Sequence, residues 1–251
     1  MRRLLQLTMS TILVAKILLA RLLCSRVPAA LVSRLTRHRI RNRGLLFDTH
    51  DPAISSSVEA SLFWQMYEAA EIRFVRRYLK GCSTVVDLGS SLGFTAAHAL
   101  STMAPDGRLI SVEPNPAIIG SLQRTLENHA SGRQISIVEA AIAYGRESVR
   151  LQPGTQTWAG KLGRDGVHVR ATTLGAILRE HEVTDYCLLA DIEGAEWELV
   201  ERDGDALSTC RRAVVELHDT GKASVDTLVE AFGRLGLKLV DRRAQVVVLA
   251  R

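Results

Sequence analysis

Four short stretches place carboxylates, glycines and one histidine where side chains could act together on a ligand. The first is Asp87-Leu88-Gly89-Ser90-Ser91-Leu92-Gly93-Phe94-Thr95. Gly89 permits a tight turn against a bound molecule and Gly93 lets a helix start close to it. Ser90 and Thr95 belong to the same loop and complete the candidate set. The second stretch is Glu113-Pro114, 26 residues after Asp87, where a carboxylate can accept both hydroxyls of a ribose. The third is Asp191-Ile192-Glu193-Gly194-Ala195-Glu196, with three carboxylates in six residues. The fourth is Glu216-Leu217-His218, in which the histidine could serve as general base with an acid nearby. For Asp191 and Glu193 the competing account is helix capping and dipole complementarity. For His218 it is an ordinary structural hydrogen bond.

The charge of the first loop bears on which cofactor it would take. A pyrophosphate is held by G-x-G-x-x-G at a helix N-terminus and would be repelled by an acid there. Here Asp87 precedes the loop, in the pattern D-x-G-x-x-x-G. S-adenosylmethionine carries an ammonium and a sulfonium and no phosphate, so an aspartate beside a glycine turn suits it, directly or through water. Asp87, Gly89, Ser90, Gly93, Thr95, Glu113, Pro114 and Asp191 are the expected cofactor-binding residues, and His218, Asp191 and Glu193 the expected catalytic ones. Asp191 or Glu193 would bind the acceptor hydroxyl or the methionine amine. No metal site is claimed, because ligands spread over 27 residues predict nothing by spacing alone.

These stretches need strands to present them. Thr84 to Leu88, Arg108 to Glu113, Gln134 to Glu139, Tyr186 to Asp191 and Arg212 to Leu217 read as strands. Phe94 to Met103, Pro116 to His129, Thr173 to His181, Ala195 to Arg202 and Val225 to Leu235 read as helices between them. Such alternation predicts an α/β, doubly wound, Rossmann-like parallel sheet whose ligand lies beyond the carboxyl ends of its strands. Leu237 to Val240 and Gln245 to Ala250 are joined too tightly for a crossover helix, so a terminal antiparallel hairpin is expected. Ser148 to Leu151 and Val167 to Val169 could be short strands around a Gly-rich stretch, Gly154 to Gly166, where Trp158 would line an acceptor pocket or fill core, with Trp197 on the same side. Val58 to Leu79 has helical spacing and stops at Lys80-Gly81.

The length of 251 residues suits one full-sized domain and an extra segment. Composition excludes a disordered, collagen-like or multi-span chain. The net charge of +5 conceals an asymmetry: residues 1–47 hold ten Arg or Lys and no acid, while the rest carries 22 basic and 27 acidic side chains. A nucleic-acid footprint on the domain is thereby disfavoured. The divisions expected are 1–47, a basic hydrophobic segment; 48–81, a linker and lead-in helix; and 82–251, the catalytic domain.

Four readings of the basic segment compete. A cleaved signal peptide is opposed by Lys16 and Arg21. A spanning helix from Leu4 to Leu23 has the length but contains Lys16. A helical extension packing on its own domain or on another copy needs no membrane. The preferred reading is a basic amphipathic segment on an anionic membrane surface. Both membrane readings leave the domain in the cytoplasm, at the inner face of the membrane. The four scattered cysteines suggest neither a zinc cage nor a disulfide framework and suit a reducing compartment.

Val85 to Thr95, Val112-Glu113-Pro114-Asn115-Pro116, Thr173-Leu174 with Leu188 to Glu196, and Val215-Glu216-Leu217-His218 together resemble the FkbM family of S-adenosylmethionine-dependent methyltransferases. Tyr67-Glu68-Ala69-Ala70-Glu71 is similar to that family's lead-in helix, and Asp191 to Glu196 is the most specific piece. The resemblance runs from about Tyr67 to the C-terminus. It implies a seven-stranded class I fold and O-methylation of sugars, glycolipids or secondary metabolites. The chain departs from the family at Ala190, where Lys is common, and at Gly175, where Asp is common. The expected partner is a small-molecule or glycolipid acceptor. The alternatives are a membrane-attached binding protein that keeps the fold without catalysis, and a nicotinamide-dependent oxidoreductase, which Asp87 and the missing G-x-G disfavour.

Overall fold

Along a strand, successive side chains point to opposite faces, and in the computed structural model of the chain Val85 and Val86 enter two different cores. The structure describes residues 18–153, 160–162 and 166–251. Two compact units divide it, the first ending at Ala69 and the second running from Ala70 to Arg251.

The second unit is built on seven strands: β3 (Thr84–Leu88), β4 (Arg108–Glu113), β5 (Gln134–Glu139), β10 (Tyr186–Ala190), β11 (Cys210–Glu216), β12 (Lys238–Arg243) and β13 (Val246–Ala250). Their order is β12-β13-β11-β10-β3-β4-β5. Neighbours from β11 to β5 are parallel, and β13 runs antiparallel to both β11 and β12. On one face Phe74 and Val75 of α3 (Ala69–Tyr78) with Leu79 just after it, Ala96 and Leu100 of α4 (Phe94–Leu100), and Leu122 and Leu126 of α5 (Ile119–Glu127) cover Val85, Leu109 and Leu189. On the other, α6 (Leu174–Glu180), α7 (Glu196–Arg202), α8 (Gly204–Leu207) and α9 (Val225–Arg234) cover Val86, Ile110 and Leu188. This is the expected doubly wound α/β sheet with its antiparallel terminal hairpin. Thr173 caps α6 by accepting from the Ala176 amide at 3.1 Å, a contact worth about 1 kcal/mol.

The irregular section forms a second sheet of four strands: β6 (Ala141–Ile142), β7 (Ser148–Pro153), β8 (Gly160–Leu162) and β9 (Val167–Thr172), in the order β6-β9-β7-β8. The two short strands anticipated here are longer, and two more join them. Trp158 lies outside the described residues. Trp197, on α7, is half-buried against the core.

In the first unit, residues 18–23 are helical and are followed by α1 (Arg26–Thr36), β1 (Arg39–Asn42), β2 (Leu45–Asp48) and α2 (Ser56–Phe63). The basic segment is therefore not one continuous helical run, because β1 and β2 pair as an antiparallel hairpin. Its two-residue turn is Arg43 at φ +45° and Gly44 at φ +93°, the positive values a tight hairpin turn requires. Buried Glu59 on α2 ties the unit together, its Oε1 meeting His38 Nδ1 at 2.7 Å and Thr49 Oγ1 at 2.5 Å while Oε2 accepts from Ser33.

The single helix expected from Val58 to Leu79 is two helices, α2 and α3. Gln65 adopts φ +56°, the Met66 amide reaches back to the Ser61 carbonyl at 2.8 Å, and the Gln65 amide reaches that of Leu62 at 3.0 Å. This left-handed cap ends α2 without a glycine to announce it. Cys82 and Cys187, 105 residues apart, are joined as a disulfide, their Cα atoms 6.5 Å apart. The spacing of the cysteines suggested no disulfide framework, because it does not show that β3 and β10 are sheet neighbours.

Candidate functional site

Four parallel strands end side by side and deliver the four stretches to one edge of the sheet. At the β3 exit the Gly89 and Ser90 amides donate to the Val112 carbonyl at 2.9 and 3.0 Å, and the Asp191 amide donates to the Leu88 carbonyl at 2.9 Å. The exits of β3, β4 and β10 are thus stitched together by backbone. Gly89, at φ +85°, has no room for a side chain: a Cβ there would lie 1.8 Å from the Asp191 carbonyl oxygen. Gly93, at φ +79°, begins α4, and a Cβ on it would press on Leu122 at 2.8 Å.

Glu113 fastens the adjacent loops. Its Oε2 accepts from the Ser91 amide at 2.8 Å and its Oε1 from the Asn115 amide at 2.8 Å. Asp87 accepts from Ser111 Oγ at 3.4 Å and is only 2% exposed. Burial pushes both carboxyls up to about 7, against the hydrogen bonds that favour their ionised forms. Ser90 and Thr95 are buried in the loop and in the first turn of α4, and Pro114 is half-buried beyond Glu113. Asp87, Gly89, Ser90, Gly93 and Glu113 therefore meet at one place.

The catalytic candidates also meet. His218 Nδ1 lies 3.0 Å from Glu196 Oε1, and its Nε2 faces Asp191 Oδ1 at 3.9 Å and Glu193 Oε2 at 4.0 Å. Glu196 is fully buried and also accepts from the Gly194 amide at 3.1 Å. The bond to Glu196 is the main reason His218 is raised to about 9, outweighing burial. Asp191 is raised to about 6 by burial, with Glu193, Glu196 and Glu71 adding to the effect and His218 opposing it. Glu193 holds φ +51° and Gly194 φ +102°, a left-handed turn that brings both acids back toward the histidine. Asp191 Oδ1, Ser91 Oγ and Glu196 Oε2 are buried and make no hydrogen bond among the described residues.

Two members of this cluster escape sequence reasoning. Glu196, read as the start of a helix, is the acid that holds His218. Glu71, from α3, is hydrogen-bonded to Glu216, and burial followed by the charges of Asp191 and Glu71 raises Glu216. The signals were present in Asp191 to Glu196 and in Tyr67 to Glu71, but only folding joins elements so far apart.

The two departures from the family pattern acquire physical context. Ala190 faces the core, on the opposite side of the strand from Asp191. At Gly175 the backbone amide donates to Asp203 Oδ1 at 3.2 Å, and Asp203 Oδ2 accepts from Tyr144 at 2.6 Å. A carboxylate from the end of α7 already occupies that neighbourhood.

Chemically, the edge can bind a cation among Asp87, Glu113 and Asp191, and above about pH 9, where His218 loses its proton, it can accept one at Nε2. Asp191, Glu193 and His218 each offer a ligand atom within 4.8 Å of the others, so they could also hold a divalent cation.

Among known proteins, 156 residues are 27% identical to the highly reducing polyketide synthase cm3B of Cordyceps militaris, covering 57% of this chain and 6% of that protein. The chain thus spans a small fraction of that relative. Solved structures similar to it include an O-methyltransferase family protein from Burkholderia thailandensis, with 12% identity over 78% of this chain and 60% of that one and a TM-score of 0.45. Another is Aeropyrum pernix fibrillarin with natively bound S-adenosyl-L-methionine, with 14% identity over 72% of this chain and 73% of that one and a TM-score of 0.43. The family model described as the methyltransferase FkbM domain matches residues 87–238, from the aspartate of the first strand exit into the terminal hairpin. With more than half of its length matched, the chain belongs to the FkbM methyltransferase family.

Proposed function

We propose that this chain is an S-adenosylmethionine-dependent methyltransferase acting on a hydroxyl of a sugar, glycolipid or secondary metabolite. The observation that carries the reading is the meeting at adjacent strand exits of three carboxyls, buried Asp87 and Glu113 and half-buried Asp191, whose ionised forms a cationic ligand would compensate. Such a pocket suits a cationic ligand and opposes a pyrophosphate. S-adenosylmethionine supplies, when bound, a methyl group on a positively charged sulfur.

The protein's part is binding, alignment and proton removal. Glu113, fixed by two amides, presents its remaining acceptor capacity to ribose hydroxyls. Asp87 and Asp191 supply negative charge for the ammonium and sulfonium, and Gly89 lets backbone approach without a side chain in the way. His218, with Nδ1 on Glu196, directs Nε2 toward the acceptor hydroxyl. In its neutral form, which predominates only above about pH 9, His218 Nε2 would take the proton of the acceptor hydroxyl, and the acceptor oxygen would take the methyl group that the bound donor supplies. Most of the acceleration comes from holding donor and acceptor in line, with the base adding about 10²–10⁴-fold.

A second reading of the same acids has Asp191, Glu193 and His218 hold a divalent cation that orients the acceptor. Radiolabelled methyl transfer from S-adenosylmethionine to panels of hydroxylated sugars, glycolipids and polyketide-like alcohols tests the proposal. Label is expected on oxygen for one class. Binding of the methyl donor without transfer to any of them would favour a binding protein that keeps the fold.

A further inference from the structure

Among the described residues of the first unit, six of the nine exposed large apolar side chains lie on α1 and the helical residues before it, the others being Leu46, Phe63 and Trp64. In α1, Ala29, Val32 and Ser33 are buried, and on another face Val27, Leu31 and Leu35 are 80%, 56% and 74% exposed. These three are spaced i, i+4, i+8 and form one ridge. In the helical residues before α1, Leu18, Leu19 and Leu22 are exposed as well. Arg21, Arg26, Arg34 and Arg37 are exposed among them, and the chain contains no acid before Asp48. The inward side is fully occupied, with Ser33 bonded to the buried Glu59 and Ala29 and Val32 packed beside Ala60.

We propose that this face of α1 and the helical residues before it is a docking surface for an anionic lipid bilayer. Val27, Leu31 and Leu35 enter the acyl boundary, and the neighbouring arginines meet lipid phosphates. An apolar ridge with same-sign charges interspersed is the pattern of a helix lying in a membrane interface. A second copy is a poorer occupant, since a symmetric pair would set arginine against arginine. Nucleic acid would leave the leucines in water. No helix among the described residues is long and apolar enough to cross a membrane, and most of the spanning stretch considered from Leu4 to Leu23 lies outside the described residues. The docking surface does not depend on the methyl-transfer reading, and a membrane-held enzyme would meet lipid-linked acceptors at the bilayer.

Flotation of the full-length chain with phosphatidylcholine vesicles, with and without phosphatidylglycerol, tests this. The chain is expected to float with the anionic vesicles, to release with rising salt, and to remain free of the neutral ones. The Leu31→Glu, Leu35→Glu double variant and the Arg34→Glu, Arg37→Glu double variant should each lose at least about tenfold in partitioning. Leu239→Glu, at an exposed apolar position on β12, should float like the parent, and thermal unfolding confirms that each variant folds. Failure to float with anionic vesicles, or flotation unchanged by the Leu31 and Leu35 substitutions, overturns the proposal. A concentration-dependent dimer, seen by sedimentation and abolished by the same leucine substitutions, would also overturn it and assign the face to a second copy.

Discussion

The carbonyl oxygen of Asp191 occupies the place a side chain on Gly89 would need, 1.8 Å from the position of its Cβ. The glycine of the loop after β3 and the aspartate at the exit of β10 are therefore a single packed unit, and a methyl group on one displaces the other.

Gly89→Ala should accordingly both destabilise the fold and damage the site. The backbone clash and the φ of +85° predict a loss of about 2–4 kcal/mol, measurable by denaturant unfolding. Retained stability together with retained affinity for S-adenosylhomocysteine would show that the two loops do not meet as described.

Asp87 and Glu113 make stability depend on pH. Each is raised to about 7 from ordinary values of 3.8 and 4.5, so the folded state keeps protons that the unfolded state has lost. Their contribution is greatest near the ordinary carboxylate values and is lost as pH rises toward and through 7. The ligand-free protein should melt at a higher temperature at pH 6 than at pH 8. Affinity for a cationic ligand should move the other way, because the ionised carboxylates bind it. A melting temperature that rises between pH 6 and 8 would contradict the assignment.

His218→Ala should reduce turnover by about 10²–10⁴-fold while affinity for S-adenosylhomocysteine is kept. Turnover should persist in the presence of a chelator. Loss of activity on chelation, restored by magnesium or manganese, would move Asp191, Glu193 and His218 from proton transfer to cation binding.

Gly175→Asp, which restores the residue common in the family, should destabilise this chain. A Cβ there lies 3.0 Å from Asp203 Oδ1, so a second carboxylate would face the first. A cost of about 1–2 kcal/mol is expected, and it should largely disappear in the Asp203→Ala background, as a double-mutant cycle would show.

The core of the fold was legible in the sequence because its strands and helices alternate with distinct periodicities. The strand exits at Asp87, Glu113, Asp191 and Glu216 followed directly. The β1–β2 hairpin was hidden by its arginines. Arg39, Ile40, Arg41 and Asn42 alternate exposed and buried, but counted as charge they read as part of a basic leader. The break after Phe63 relies on a left-handed Gln65, which no residue preference signals. Glu196 and Glu71 escaped because their partners lie 22 and 145 residues away. A side chain's hydrogen-bond partner across a sheet edge is a property of topology, and spacing along the chain does not encode it.

The most direct test of the account is calorimetric titration of the full-length chain with S-adenosylhomocysteine, with NADH and NADPH as controls and Asp87→Asn as the companion variant. Micromolar binding of S-adenosylhomocysteine alone, weakened about tenfold or more by Asp87→Asn, is the predicted result. Binding of a nicotinamide cofactor instead, or no binding of S-adenosylhomocysteine by a demonstrably folded chain, would contradict it.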